Sequence, residues 1–308
     1  MAFGKRKKNA NEMSFFEHIE ELRWHIIRSA VAVLVVSVGI FLMKDFIFQD
    51  IILGPTSPDF VTYRVFCELL PSMCFYPGDL HIITRDIQEQ FLSHVQVSVT
   101  LGIIVAFPFI LYEFWKFIKP GLYKKEIRAA KGMVFICSFL FLTGVLFGFF
   151  IVAPIAITFL STYSVSPDVA NTTTLDALVN SMTMFTLPTG LVFELPVIMY
   201  FLAKIGLISY DFLKKYRRHA IVVIAVIAAV VTPPDAITMM MIGIPLYVLF
   251  EVSVIVVKRI DKEKKRKEEQ EEQEEAEARA REARERAMRA ASTTPVVEDA
   301  KPDPPEAS

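Results

Sequence analysis

Residues 132–160 read "GMVFICSFLFLTGVLFGFFIVAPIAITFL", twenty-nine positions without one acidic or basic side chain. A helix needs roughly 20 apolar residues to cross about 30 Å of hydrocarbon, so this run is long enough to span a membrane with residues to spare. The excess predicts a tilt or a kink at Pro154. Similar runs occupy 26–43, 95–112, 182–203, 220–232 and 236–257. Lysine plus arginine (33) nearly balances aspartate plus glutamate (34) over the whole chain. The charges are segregated into the first 25 residues, the short connections and the last fifty residues. The reading is an all-α membrane protein with six transmembrane helices, in which the fifth and sixth spans are short and joined by the tight turn "TPPD". Three segments follow: 1–25 as a cytoplasmic N-terminal segment, 26–257 as the six-span membrane domain, and 258–308 as a charged cytoplasmic tail that is helical and then disordered.

The first apolar run begins some twenty residues after the basic "KRKK" and is followed by no small-residue cleavage pattern, so it is read as a retained helix. Lys and Arg alternate between connections. Five fall in the N-terminal segment, six in 114–131 and five in 204–219, against none in 161–181 and none in the turn after Val231. The positive-inside rule then places both termini in the cytoplasm. Cys67 and Cys74 fall in a connection assigned to the oxidising side, where either a disulfide closing "CELLPSMC" or two free thiols would fit. Cys137 lies mid-span and reads as packing.

Catalytic signatures are missing. There is no HExxH, serine elbow or phosphate-binding loop, and the five histidines share no ligand spacing. No enzyme activity, cofactor, metal or nucleic-acid partner is expected. Polar residues inside or beside the spans carry the functional information. Glu194, within "LVFELPVIMY", must face a cavity or a partner, or be neutral, because a charge in hydrocarbon costs several kcal/mol. A bond to Thr186 or Thr189 of its own span is the plainer alternative. Glu113 and Lys116, three apart, read as an intrahelical pair.

The stretches "HIEELRWHIIRS" (18–29), "FPFILYEFWKFIKPGLYKKEIR" (107–128), "FELPV" (193–197) and "TPPDAIT" with "IGIPLYVLFE" (232–251) occur in an order that resembles the TatC family. TatC is the large membrane subunit of the twin-arginine protein translocase. The resemblance covers about residues 14–257. It implies a concave bundle in the bacterial cytoplasmic membrane that receives twin-arginine signal peptides and helps pass folded precursors across. The proton gradient would drive this, with several copies acting beside TatA/TatB-type single-span subunits.

It also implies a signal-peptide site built on Glu21 and Glu126, with Arg23, Phe117, Tyr123 and Lys124 nearby. Two carboxylates suit paired guanidinium groups, whose fork a lysine cannot reproduce. Surface pairing of Glu21 with Arg23, or of Glu126 with Lys124 or Arg128, is the alternative. Glu194, Thr232, Asp235 and Thr238 form the expected partner-facing polar set, and Met239 departs from the family pattern. Two other functions remain open on residues alone. One is a small-solute or ion transporter using Glu194 and Asp235, and the other is a scaffold working through its tail.

Overall fold

The computed structural model describes residues 15–69, 71, 74–78, 80–118, 127–164, 166, 172–231 and 236–292. The first described element is α1 (Phe15–Phe41), so the helix of the first span starts inside the segment read as cytoplasmic. A compact connection follows: α2 (Lys44–Phe46), a π-helical stretch Ile47–Ile52, a 3-10 turn Gly54–Thr56, α3 (Val61–Leu69) and β1 (His81–Ile83). Next come α4 (Glu89–Ile118), α5 (Ile127–Phe147), a π-helical stretch Gly148–Val152, α6 (Ala153–Thr162) and β2 (Thr172–Thr174). The chain closes with α7 (Leu175–Val192), α8 (Leu195–Lys204), α9 (Tyr210–Lys215), α10 (Arg217–Val231) and α11 (Ala236–Ser292).

Among the described residues, four helical runs are long and apolar enough to cross a membrane: Ile19–Phe41, Glu89–Ile118, Gly132–Thr162 and Leu175–Lys204. Their outward faces carry large apolar side chains such as Leu34, Val105, Phe135 and Phe139, as lipid-facing surfaces do. α10 has 15 residues, short as expected. α11 joins the apolar 236–257 stretch and the tail, which the sequence predicts to be helical at its start, into one element. It continues without a break from the apolar 236–257 stretch into the charged tail and reaches 57 residues.

A correction concerns the connections. The all-α reading missed a pair of three-residue strands, β1 and β2, which run parallel with His81 opposite Thr172 and Ile83 opposite Thr174. The irregularity near Pro154 is a π-helical stretch ending just before it. Proline has no N–H to give, which leaves the carbonyl four residues earlier without its helical partner. That carbonyl belongs to Phe150, and the Thr62 hydroxyl of α3 donates to it. The fully buried Tyr63 hydroxyl lies 2.8 Å from the Pro55 carbonyl and 3.1 Å from that of Pro154. Burial raises this phenol above its ordinary pKa, so it stays a neutral donor. α3 is thereby fastened over the top of α6, and a Cys67–Cys74 disulfide closes the segment after it.

Contacts sort the helix ends into two groups. At one, the Glu89 carboxylate accepts backbone N–H groups from Arg85 (2.6 Å) and from Asp176 (2.9 Å), joining the start of α4 to the start of α7. Thr174 caps α7 by accepting from the Ala177 N–H. At the other, His25 of α1 meets Glu113 of α4, Trp115 meets Phe201 of α8, and Arg217 of α10 pairs with Glu251 of α11. The main core lies between, built from residues such as Ile47, Val97, Ala156, Met182, Phe185, Ala228, Leu246 and Val254.

Candidate functional site

The first candidate region is the end shared by α1 and α4. Glu21, His25 and Arg28 stand at i, i+4 and i+7 and so share one face of α1. His25 Nδ1 lies 2.6 Å from Glu113 Oε2, with both side chains buried, and Arg28 approaches the same oxygen at 3.7 Å. Glu113 is therefore paired across helices, not with Lys116 on its own. This corrects the sequence reading. The His25 and Phe117 rings meet edge-on at 6.1 Å. Beside them Leu22, Ile26, Val33, Ile110 and Phe114 line an apolar groove of about 330 Å³ between the two helices.

The two glutamates at this end differ in availability. Glu113 is engaged by two basic side chains, whereas Glu21, half-buried, has no ion-pair partner among the described residues, and Arg23 beside it is exposed. Among the described residues, Glu113 is thus engaged across helices and Glu21 is not. Glu126, Tyr123 and Lys124 fall in 119–126, outside the described residues. That stretch joins Ile118 of α4 to Ile127 of α5 and so departs from this same end. The His25–Glu113–Arg28 cluster was missed from sequence because its halves lie 88 positions apart. The shared face of Glu21, His25 and Arg28 was the signal available.

The second region is the α7–α8 break. Glu194 occupies the last position before α8, with Pro196 following in the first turn, and it is only 8% exposed. Its side chain does not cap the helix, and Oε1 is buried with no hydrogen-bond partner among the described residues. The Cys137 thiol and the Phe141 backbone of α5 lie beside the carboxylate. Thr186 and Thr189 do not serve it; their hydroxyls donate to the carbonyls of Met182 and Phe185, 2.8 and 2.6 Å away.

Glu194 reaches α5 because glycines thin the contact there. Gly144 and Gly148 form a small-x-x-x-small pattern against α7, Gly144 beside Gly190 and Gly148 beside Phe185 and Thr186. A Cβ at Gly144 would sit 2.7 Å from the Phe193 ring, and one at Gly190 would sit 2.7 Å from Val145 Cγ2. The result is a buried carboxylate oxygen held between two tightly packed helices. Thr232 and Asp235 lie outside the described residues, and of Thr238 only the helical backbone is described. Met239 packs against the main core.

Several helices long and apolar enough to span a bilayer, with a carboxylate cluster at one end of the bundle and a buried carboxylate within, are the features of a polytopic membrane protein. Among the described residues no group of His, Cys, Asp and Glu could hold a metal ion. The model of the family "Sec-independent protein translocase protein (TatC)" matches residues 17–245. The TatC of Blattabacterium sp. subsp. Periplaneta americana is 39% identical over 265 residues, covering 84% of this chain and all of that relative. TatCy of Bacillus subtilis is 30% identical over 253 residues, 82% of this chain and 91% of that protein. A crystal structure of the twin-arginine translocase receptor TatC superposes with a TM-score of 0.63 at 31% identity, covering 80% of this chain and all of that one. The chain belongs to the TatC family, and is a membrane component of Sec-independent protein translocation. Family membership replaces the solute-transporter reading.

Proposed function

We propose that this chain is the signal-peptide receptor and core subunit of a twin-arginine translocase in a bacterial cytoplasmic membrane. It crosses the bilayer six times with both termini inside, and the concave bundle passes folded precursors using the proton gradient. Glu21 and Glu126 grip the paired arginines, with Arg23, Phe117, Tyr123 and Lys124 around them. Glu194, Thr232, Asp235 and Thr238 meet TatA/TatB-type single-span subunits in an assembly of several copies.

The observation that carries this reading is the state of Glu21. Its carboxylate lacks an ion-pair partner among the described residues, and it stands at the end from which the 119–126 connection departs. Two convergent carboxylates would bind guanidinium groups bidentately, and that preference would vanish for ammonium groups.

The test is binding of fluorescent signal peptides, Arg-Arg and Lys-Lys versions, to the purified protein in detergent. The Arg-Arg peptide should bind about tenfold more tightly, roughly 1.4 kcal/mol. Glu126→Ala and Glu21→Ala should each abolish the difference. Equal binding of both peptides to wild type would remove the receptor mechanism.

A further inference from the structure

Where α11 leaves its apolar stretch it meets α9. The Tyr210 N–H donates to Asp261 Oδ2 at 2.6 Å, and Lys258 Nζ sits 5.5 Å from the centre of the Tyr210 ring. These contacts hold α9 against the first charged turns of α11. Between them lies an open recess of about 400 Å³ lined by Lys258, Lys262, Lys265 and Arg266 together with Asp211 and Glu269. The four basic residues fall at i, i+4, i+7 and i+8, one face of the helix.

We infer that this α9–α11 recess binds the headgroup of an anionic phospholipid, a phosphodiester that carries free hydroxyl groups. The inference rests on the membrane placement of α11 proposed above. Three features carry it beyond a general basic collar. Residues 252–257 are uncharged and Lys258 follows at once, so the recess begins at the hydrocarbon boundary. The headgroup layer is roughly 5–8 Å deep, four or five helical residues. Helical side chains lean toward the helix N-terminus, which for α11 is the membrane side, so Lys265 and Arg266 reach back over Lys262 toward that layer.

The charge is right for a phosphodiester. Residues 258–267 hold seven basic and two acidic side chains, and α9 ends in Lys214 and Lys215. One of the two acids, Asp261, is turned to the Tyr210 amide. Asp211 and Glu269 then select among anionic lipids. Carboxylates in the lining accept hydrogen bonds from headgroup hydroxyls and repel a headgroup that carries a carboxylate of its own.

The experiment uses the full-length chain in phosphatidylcholine nanodiscs containing a trace of photo-crosslinkable phosphatidylglycerol, or of the phosphatidylcholine analogue, with labelled peptides mapped by mass spectrometry. Labelling of peptides spanning 205–270 should be about fivefold higher with phosphatidylglycerol. The variant K258Q/K262Q/K265Q/R266Q should fall to the phosphatidylcholine level. K258R/K262R/K265R should keep the excess, and so should R279Q/R281Q/R284Q/R286Q farther along the same helix. Equal labelling by both lipids, or an undiminished excess in the first variant, would overturn the site. Loss of the label to about 10 mM glycerol phosphate would overturn a lipid as occupant and leave a soluble phosphate in its place. Protease access to the tail in inside-out vesicles reads the orientation separately, so failure of the lipid site and failure of the membrane placement give different results.

Discussion

At the scale of single residues, two buried carboxylates do different work. Glu113 is answered by His25 and Arg28, and its value is to hold α1 on α4. His25→Ala leaves a buried carboxylate with only the half-exposed Arg28, a change that costs about 3 kcal/mol or more in comparable pairs. The midpoint of thermal unfolding in detergent should fall accordingly, and the double change His25→Leu with Glu113→Leu should restore most of it. Glu194 has an oxygen with no partner among the described residues, which costs about 1–3 kcal/mol. Glu194→Leu should therefore raise thermal stability by about 1 kcal/mol while abolishing crosslinking to a single-span subunit and translocation in vesicles. A fall in stability with translocation intact would make Glu194 a packing residue.

At the scale of elements, much was legible because lipid imposes a simple rule on composition. Each helix long and apolar enough to span among the described residues was read from apolar runs carrying at most one charge, including the one ending near Thr162. The break at Phe193–Glu194 was not drawn from sequence, although Pro196, which lacks the N–H that a continuous helix needs, was the signal for it. The strands β1 and β2 escaped for another reason: three residues each give no period, and their pairing joins segments 91 positions apart. The glycine seam follows from the packing. Gly148→Ala would drive a methyl into the Phe185 carbonyl, and the backbone cannot step aside as a flexible side chain could. A loss of about 1–3 kcal/mol in chemical or thermal unfolding is expected, against a near-neutral result for Gly39→Ala, where nothing lies within 4 Å.

At the scale of the whole molecule, the contacts fasten the two ends by different means. One end is closed by the Cys67–Cys74 disulfide, the Glu89 bonds and the strand pair, and the other by ion pairs between helices. If the first end faces the oxidising compartment, as the loop charges suggest, a membrane-impermeant maleimide should label Ser164→Cys in intact cells. The same reagent should label Ser292→Cys only in inside-out vesicles. Reversed labelling would invert the assigned orientation.

The continuity of α11 has a mechanical meaning. From Lys258 to Ser292 the helix climbs about 50 Å at 1.5 Å per residue. Pairs such as Arg279–Glu275 and Arg286–Glu282 stiffen its upper turns. If α11 is rooted in the bilayer as proposed, a rod of that height would stand as a spar, barring neighbouring subunits from closing directly over the α9–α11 corner and setting a minimum spacing for anything bulky that assembles on that side.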